Sequence, residues 1–238
     1  MITKAQKKHI KSLKQKKYRK LHQEFVVEGN KSINDFIKNG YEPVFIFSAG
    51  EPGWKNGPEI LPVTKKELNE ISFLKHPKDS LAVFKMKKEN PVSFDKPVIV
   101  LDGIQDPGNL GTIIRTADWF GIKDIVCSPD TVDCYSPKVV QASMGSLANI
   151  NMHYKNLEDF FKTYSFPVFG TFMEGENALQ IKYPSRFAMV IGNEGNGITK
   201  ETMKYIDKKI TIPKHPGASA ESLNAAIANA IILSKVFS

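Results

Sequence analysis

The chain has 238 residues, of which 41% are hydrophobic and 10% aromatic, a share typical of a globular protein with one large core or two small ones. No apolar run approaches the length of a membrane-spanning helix, and the N-terminus lacks the apolar stretch of a signal peptide, so we expect a cytoplasmic protein without a membrane partner. The two cysteines, Cys127 and Cys134, have no metal-ligand spacing around them and are expected to be free thiols.

The formal net charge of +8 is concentrated at the N-terminus, because nine Lys and Arg residues fall among the first twenty positions, which contain no acid. A local basic block indicates a polyanionic partner such as nucleic acid, and a solvated tail is the alternative. A narrow apolar stripe of Ile10, Leu13, Tyr18 and Leu21 makes a docked helix plausible and an anionic membrane a poorer partner. We predict RNA contacts from Lys7, Lys8, Lys11, Lys14, Lys17 and Arg19.

The remainder of the first half is predicted to be a small α/β unit within residues 1–88. Its apolar, β-rich runs predict strands, and the segments between them predict helices. A charged, proline-containing stretch without periodicity follows and is typical of a linker, at residues 89–96. The predicted strands are 24–29, 43–47, 59–63 and 80–86, and the helices are 30–39 and 65–73.

The second half, residues 97–238, alternates short apolar strands with helices. This alternation predicts a parallel sheet that is covered on both faces and binds ligands beyond the carboxyl ends of its strands. Three of these strand ends lead into glycine-rich or polar loops, with the sequences DGIQDPGNLG, GNEGNG and PKHPGAS. The predicted strands are 97–103, 124–128, 167–173, 187–192 and 209–213, and the helices are 109–121, 137–147, 157–164, 199–206 and 220–236.

The first of these loops opens the helix at 109–121. Asn109 is a candidate for its N-cap, and Arg115 lies off the apolar stripe, one turn after Gly111. The sequence leaves two alternatives for Arg115, which are a ligand contact and a surface ion pair with Asp118. Trp119 next to Phe120 is more typical of a core or an interface than of base stacking, and Trp54 lies in a Gly/Pro turn.

The second and third loops carry further polar candidates. The second does not match a dinucleotide or P-loop pattern, and its Glu194 suits a ligand with hydroxyls or a positive centre better than a phosphate. The third runs into a helix that is apolar almost all round, which predicts a buried helix. Ser222 and Asn224 then stand at its buried start, where the protein or a ligand must supply their partners.

In order and spacing, the segments DPGNLGTIIRTADWFG, VIGNEGNGI and IP…ESLNAAIA resemble the three motifs of the SpoU (TrmH-type) branch of the SPOUT RNA 2'-O-ribose methyltransferases. The resemblance covers residues 97–238. It implies an α/β fold whose C-terminal parallel-sheet SPOUT domain ends in a trefoil knot. Residues 1–88 resemble, less specifically, the family's small N-terminal α/β domain, a ribosomal-protein-like fold that binds substrate.

The resemblance also implies a function. It implies S-adenosyl-L-methionine as methyl donor without a metal, RNA as substrate, and a homodimer formed through the catalytic domain. The two-domain layout and the basic N-terminal segment, residues 1–20, which we call the basic arm, favour ribosomal RNA over transfer RNA. A non-catalytic ribosome-assembly protein on the same scaffold is a further alternative. The donor would be held by Thr171, Gly192, Asn193, Ile212 and Leu223, and the reacting ribose would be served by Arg115, Asn109, Glu194, Ser222 and Asn224.

Two hypotheses concern details of this site. A base role for Arg115 conflicts with the strong basicity of a guanidinium, which stays protonated, so we expect Arg115 to grip a target phosphate instead. The loop before Ser222 is about two residues longer than is usual in the family, because Lys214, His215 and Pro216 intervene. That difference is either a harmless insertion or a contact of Lys214 or His215 with phosphate or with the donor carboxylate.

Overall fold

The computed structural model describes residues 1–51 and 58–238, so Trp54 lies outside the described residues. The chain forms two compact units. The first consists of residues 1–88 and 133–149, and the second of residues 89–132 and 150–238. Within the described ranges, no helix is both long and apolar enough to cross a membrane.

The first unit is built on a four-stranded sheet with the order β1-β4-β2-β3. Strand β4 pairs antiparallel with β1 and β2, and β3 pairs parallel with β2. The strands lie within a residue or two of the predicted positions, because their apolar runs fill the core. Its elements are α1 (Lys4–Ser12), α2 (Lys16–His22), β1 (Glu24–Glu28), α3 (Asn30–Lys38), β2 (Pro43–Ser48), β3 (Leu61–Pro62), α4 (Lys65–Ile71), β4 (Ser80–Lys85), α6 (Pro137–Ala142) and a 3-10 helix (Ser146–Asn149).

The basic arm is two docked helices. Thr3 and Gln6 form a capping box at the start of α1. Ile10 and Leu13 are fully buried in the core of this unit, whereas Leu21 is 68% exposed, so the predicted stripe is confirmed only for its first two residues. The positive charges of the basic arm therefore lie on folded helices and not on a solvated tail.

Arg19 corrects one of the predicted RNA contacts. Its side chain is only 3% exposed. The guanidinium donates to the Asp133 carboxylate through Nε at 3.0 Å and Nη2 at 2.6 Å, and Nη1 donates to the Leu13 and Lys14 carbonyls. Because four donor hydrogens are already used and the group is buried, Arg19 is not available to a phosphate.

Residues 133–149 pack with the first unit although they lie between strands of the second. The Tyr135 ring lies 4.5 Å from that of Phe25, and Asp133 holds Arg19. The helix predicted over 137–147 ends at Ala142, because Met144 and Gly145 adopt positive φ values of 53° and 96° before the 3-10 helix. The sequence pattern does not reveal this packing.

The second unit is a six-stranded sheet in which all pairings are parallel, with the order β10-β8-β9-β5-β6-β7. Its central strands are buried on both faces, as the continuous apolar runs predict. Val92 and Phe94, in the predicted linker, pack against its core. The elements are β5 (Val98–Asp102), α5 (Pro107–Trp119), β6 (Asp124–Cys127), β7 (Asn151–Tyr154), α7 (Leu157–Lys162), β8 (Val168–Asn177), β9 (Ala188–Gly192), α8 (Lys200–Met203), β10 (Lys208–Thr211) and α9 (Ala225–Val236).

Helix α9 differs from its prediction. It begins at Ala225, so Ser222 and Leu223 precede it, and the segment 213–224 is exposed. Only one face is buried, whereas Ile227 is 50% exposed. The prediction of a helix buried all round is therefore wrong for the single chain. Both cysteines are buried, and neither forms a disulfide within the described residues.

Candidate active site

The site lies at the carboxyl edge of the parallel sheet. Strand β9 lies directly beside β5, and Asp102 pairs with Gly192 at their last residues. The chain leaves these two strands in adjacent loops, at the point where the strand order reverses direction. Such a switch point forms the ligand crevice of open parallel sheets.

The loop after β9 is a tight turn. Asn193 and Gly197 exchange both backbone hydrogen bonds at 2.9 Å. A Cβ on Gly192 would lie 2.2 Å from the Gly197 carbonyl carbon, so only glycine fits there. The side-chain amide of Asn193 donates to the Gly103 carbonyl at 2.6 Å, and its oxygen accepts from two amides of its own loop. Asn193 therefore fixes the loop to the end of β5, and its side chain is committed to the protein.

Glu194 extends from this turn to the first loop. Its carboxylate accepts hydrogen bonds from the backbone amides of Gln105 and Asp106, both at 3.2 Å, and from Nδ2 of Asn109 at 2.8 Å. Partial burial raises the pKa of the Glu194 carboxyl, but the hydrogen bonds from Asn109 and the backbone outweigh burial and place it below its ordinary value. The site thus holds a fixed negative charge at neutral pH.

Asp106, not Asn109, caps helix α5, which corrects the predicted N-cap. Its side chain accepts from the Asn109 amide at 2.8 Å, and Pro107 occupies the first helical turn. An Asp followed by Pro at a helix start is itself a recognised signal, so the sequence held the information. The Asn109 side chain is thereby free to link the loops.

Asn224 completes a chain of three side chains. Its Nδ2 donates to Oδ1 of Asn109 at 2.7 Å, and its own Oδ1 caps helix α9 by accepting from the amides of Ala226 and Ile227. The order Glu194–Asn109–Asn224 takes Asn109 from the first predicted loop, Glu194 from the second, and Asn224 from the segment that joins the third to α9. We call this chain the three-loop network.

The remaining predicted site residues lie outside the network. Ser222 is exposed and forms no hydrogen bond within the described part of the chain, and Leu223 is 49% exposed. Ile212 is half-buried just after β10. Thr171, the fourth of the ten residues of β8, donates from its hydroxyl to the Val190 carbonyl of β9 at 3.1 Å.

Arg115 is exposed on α5, six residues after Asn109, which is about 9 Å along the helix axis. Among the described residues, no carboxylate forms an ion pair with it. Asp118, the partner considered from the sequence, lies 3.8 Å from Lys123 instead. The guanidinium is therefore available to a ligand.

Asp102 is a functional candidate that the sequence reasoning missed. It is 3% exposed at the end of β5, and it accepts hydrogen bonds from both the amide and the hydroxyl of Thr199, at 2.8 and 2.9 Å. It thus holds the chain that follows the Glu194 loop. Only its place at a strand end could have pointed to it.

The predicted RNA-contacting lysines divide into two groups. Lys7 forms an ion pair with Glu70. Lys8, Lys11, Lys14 and Lys17 are exposed on α1 and around the start of α2. Over the ranges 1–51 and 58–238, no cluster of three or more His, Cys, Asp or Glu side chains is arranged to hold a metal ion.

Comparisons with known proteins agree with this geometry. Residues 96–234 match the SpoU rRNA Methylase family, and residues 4–82 match the MRM3-like substrate binding domain. The 23S rRNA (guanosine(2553)-2'-O)-methyltransferase RlmP of Bacillus subtilis (strain 168) is 30% identical over 95% of this chain and 93% of its own.

Solved structures extend the match to the whole fold. A TrmH-family protein from Porphyromonas gingivalis has a TM-score of 0.90 and 35% identity, and the match covers 99% of this chain and 98% of that one. An AdoMet-bound rRNA methyltransferase from Sinorhizobium meliloti has a TM-score of 0.87 and 29% identity, covering 99% of this chain and 95% of that one. With more than half of its length matched by the family, the chain belongs to the SpoU rRNA methylases.

Proposed function

We propose that this chain is an S-adenosylmethionine-dependent RNA 2'-O-ribose methyltransferase. The observation that carries the proposal is the three-loop network, which joins the three motif loops through hydrogen bonds of 2.7 and 2.8 Å at a switch point of the sheet. An ordered polar edge of this kind can position a hydroxyl for transfer.

The donor fits the chemistry of this edge. It supplies a methyl group that is already activated by a sulfonium centre. The ionised Glu194 carboxylate complements a positive centre, and the turn at Gly192 is too close to Gly197 to admit a side chain. We therefore assign the donor to Thr171, Gly192, Ile212 and Leu223, and give Asn193 the task of holding the loop.

Arg115 acts in this proposal by binding a phosphate next to the reacting ribose. Its guanidinium is exposed and unpaired within the described ranges, and its planar fork matches two phosphate oxygens. Asn109, Asn224 and Ser222 orient the ribose hydroxyls, and Glu194 holds Asn109 in place. A proton released by the reacting hydroxyl passes to solvent or to a neighbouring oxygen, because guanidinium stays protonated.

Ribosomal RNA is the proposed substrate. The Bacillus subtilis relative, which aligns over 95% of the chain, is named for 23S rRNA, and the match to a substrate-binding domain covers residues 4–82. The exposed lysines of α1 and α2 supply a matching positive surface. A ribosomal substrate would be met in the cytoplasm, which is the location we propose.

We further propose a homodimer through the second unit. The exposed face of α9 and its surroundings carry large apolar side chains, a feature of interaction surfaces. Trp119 is 84% exposed, which is inconsistent with a place in the core of the single chain, and Ile227 is half-exposed. The trefoil knot implied by the family motifs stays a prediction.

Two measurements test the function. Calorimetric titration with S-adenosylmethionine should show binding, and mapping of 2'-O-methyl sites in total RNA with and without the gene should show one lost site in 23S rRNA. A lost site in transfer RNA would refute the ribosomal substrate. Absence of donor binding up to millimolar concentration, with RNA present, would favour a non-catalytic RNA-binding protein.

A further inference from the structure

A second cavity lies at the opposite edge of the parallel sheet. It has a volume of about 800 Å³ and opens where β8 and β10 begin, around Val168 and Lys208. A five-residue strand is about 17 Å long, so this cavity is separated from the three-loop network by roughly the full height of the sheet. We call it the amino-edge cavity.

Aromatic rings form much of its wall. Tyr205 is half-buried and stacks on Phe161 at 5.4 Å with an interplanar angle of 15°. Phe166 is also half-buried, and the Arg186 guanidinium lies 4.7 Å above its ring. Tyr164 is 9% exposed, and its hydroxyl is buried without a hydrogen-bond partner within the described part of the chain. Such walls favour a flat aromatic ligand.

Cations line the same cavity. Lys182, Lys204 and Lys208 all contribute to its lining and are exposed. Lys208 lies 3.3 Å from Glu176, whereas Lys182 and Lys204 form no ion pair in the ranges 1–51 and 58–238. Asp207 is the one carboxylate of the lining, and one of its oxygens accepts from the Val168 amide at 2.8 Å. Its other oxygen can accept from the amino group of a base.

We propose that the amino-edge cavity binds an unpaired nucleotide of the RNA substrate, away from the methylated ribose. The base lies against Tyr205 and the flanking phosphates lie against Lys182 and Lys204. The inference rests on the proposed function only in naming RNA as the source. A free nucleotide would present the same chemistry, whereas a protein partner would not need two unpaired lysines beside stacked aromatic rings.

The test uses a fluorescein-labelled single-stranded oligoadenylate and fluorescence anisotropy. It is performed in a Lys8→Gln/Lys11→Gln background, so that binding to the arm does not mask the cavity. Lys182→Glu/Lys204→Glu should weaken binding at least tenfold. It should also lower the slope of the logarithm of the binding constant against the logarithm of the salt concentration by about 1.4, since each single-strand phosphate contact contributes about 0.7 to that slope. Tyr205→Leu should weaken binding about tenfold through lost stacking. Lys123→Glu, an exposed lysine of the same unit outside the cavity, is the matched control and should bind like its parent.

Four outcomes would overturn the proposal. The first is that the cavity variants bind oligoadenylate like their parent, and the second is that Lys123→Glu loses as much affinity as they do. Equal binding of adenosine monophosphate and oligoadenylate at the cavity would assign it to a free nucleotide instead. Ultraviolet cross-links should fall on peptides with Phe166 or Tyr205, and cross-links confined to other peptides would likewise refute the placement.

Donor calorimetry on the same variants separates this inference from the proposed function. The cavity variants should bind S-adenosylmethionine like the parent, because the two sites lie at opposite edges of the sheet. If the parent itself binds no donor and the cavity variants still lose oligoadenylate, the methyltransferase is refuted and the nucleotide site is supported. Thermal unfolding of each variant checks that the charge changes leave the fold intact.

Discussion

Replacing Asn109 by Asp tests the three-loop network with almost no change in shape. The substitution exchanges the Nδ2 donor for a carboxylate oxygen, which then faces the Glu194 carboxylate at about the present 2.8 Å. Two unit charges at that distance repel by about 1.5 kcal/mol in water, the relevant medium for an exposed loop. The substitution also removes the hydrogen bond from Nδ2 to the Glu194 carboxylate. A hydrogen bond to a charged group contributes about 1.5 kcal/mol at the lower end of the usual range.

Together these terms amount to about 3 kcal/mol, or on the order of 100-fold in donor affinity, when binding requires the joined loops. The same substitution should raise the pKa of the Glu194 carboxyl, because the new charge replaces a hydrogen-bond donor. Calorimetry with S-adenosylmethionine measures the first effect, and NMR titration of the Glu194 side chain measures the second.

The double variant Asn109→Asp/Glu194→Gln supplies the decisive comparison. Its new amide can donate to the new carboxylate, and Nδ2 of Asn224 can still donate from the other side. We expect it to recover about tenfold of the lost affinity. The reasoning is wrong if Asn109→Asp binds the donor within threefold of the parent, or if the double variant is weaker than the single one.

Four further outcomes are expected. Arg115→Lys should lower turnover at least tenfold in a methyl-transfer assay on 23S rRNA, because the bidentate fork is lost while the charge remains; near-normal turnover would contradict the phosphate role. Lys8→Gln/Lys11→Gln should lower the slope of the logarithm of the RNA-binding constant against the logarithm of the salt concentration by about 1.8 when duplex regions are bound. An unchanged slope would show that α1 does not contact RNA phosphates. Asn229→Leu should raise the free energy of unfolding by about 1 kcal/mol in urea titration, since this fully buried amide has no partner among the described residues; a destabilised variant would indicate a bound water there. Glu67, whose pKa is lowered to about 2 by hydrogen bonds from the amides of Thr64 and Ile2, should stabilise the fold fully above about pH 4.5 and lose that contribution as the pH falls toward 2; Glu67→Gln should abolish that pH dependence.

The sequence predicts the edge of the second sheet well because its strands are buried on both faces. The run that forms β5 is fully buried, and parallel pairing brings its end beside that of β9. The rule that ligands meet the carboxyl ends of strands then predicts that Asn109, Glu194 and Asn224 come together. The exact pairing could not be predicted, because Asn109 bonds to Glu194 and Asn224, which lie 85 and 115 positions away in the sequence.

Strand β7 and Arg19 show where local patterns fail. The strand Asn151–Tyr154 is half polar, yet His153 is fully buried because its Nε2 lies 2.8 Å from the Asp124 carboxylate on the neighbouring strand. Arg19 is buried because Asp133, 114 residues away, neutralises it. In both cases a distant acid offsets the cost of burying a polar side chain, and no window of sequence contains both partners.

Helix α9 shows a different limit. Its apolar residues surround the helix, and this pattern predicts a helix that is buried on every face. The single chain covers the face with Ala226, Ile232 and Leu233, whereas Ile227 stays half-exposed. The prediction of complete burial is therefore wrong for the single chain. A second copy that packs on Ile227 would satisfy the pattern, so the apparent error in the fold is itself the sequence evidence for the proposed homodimer.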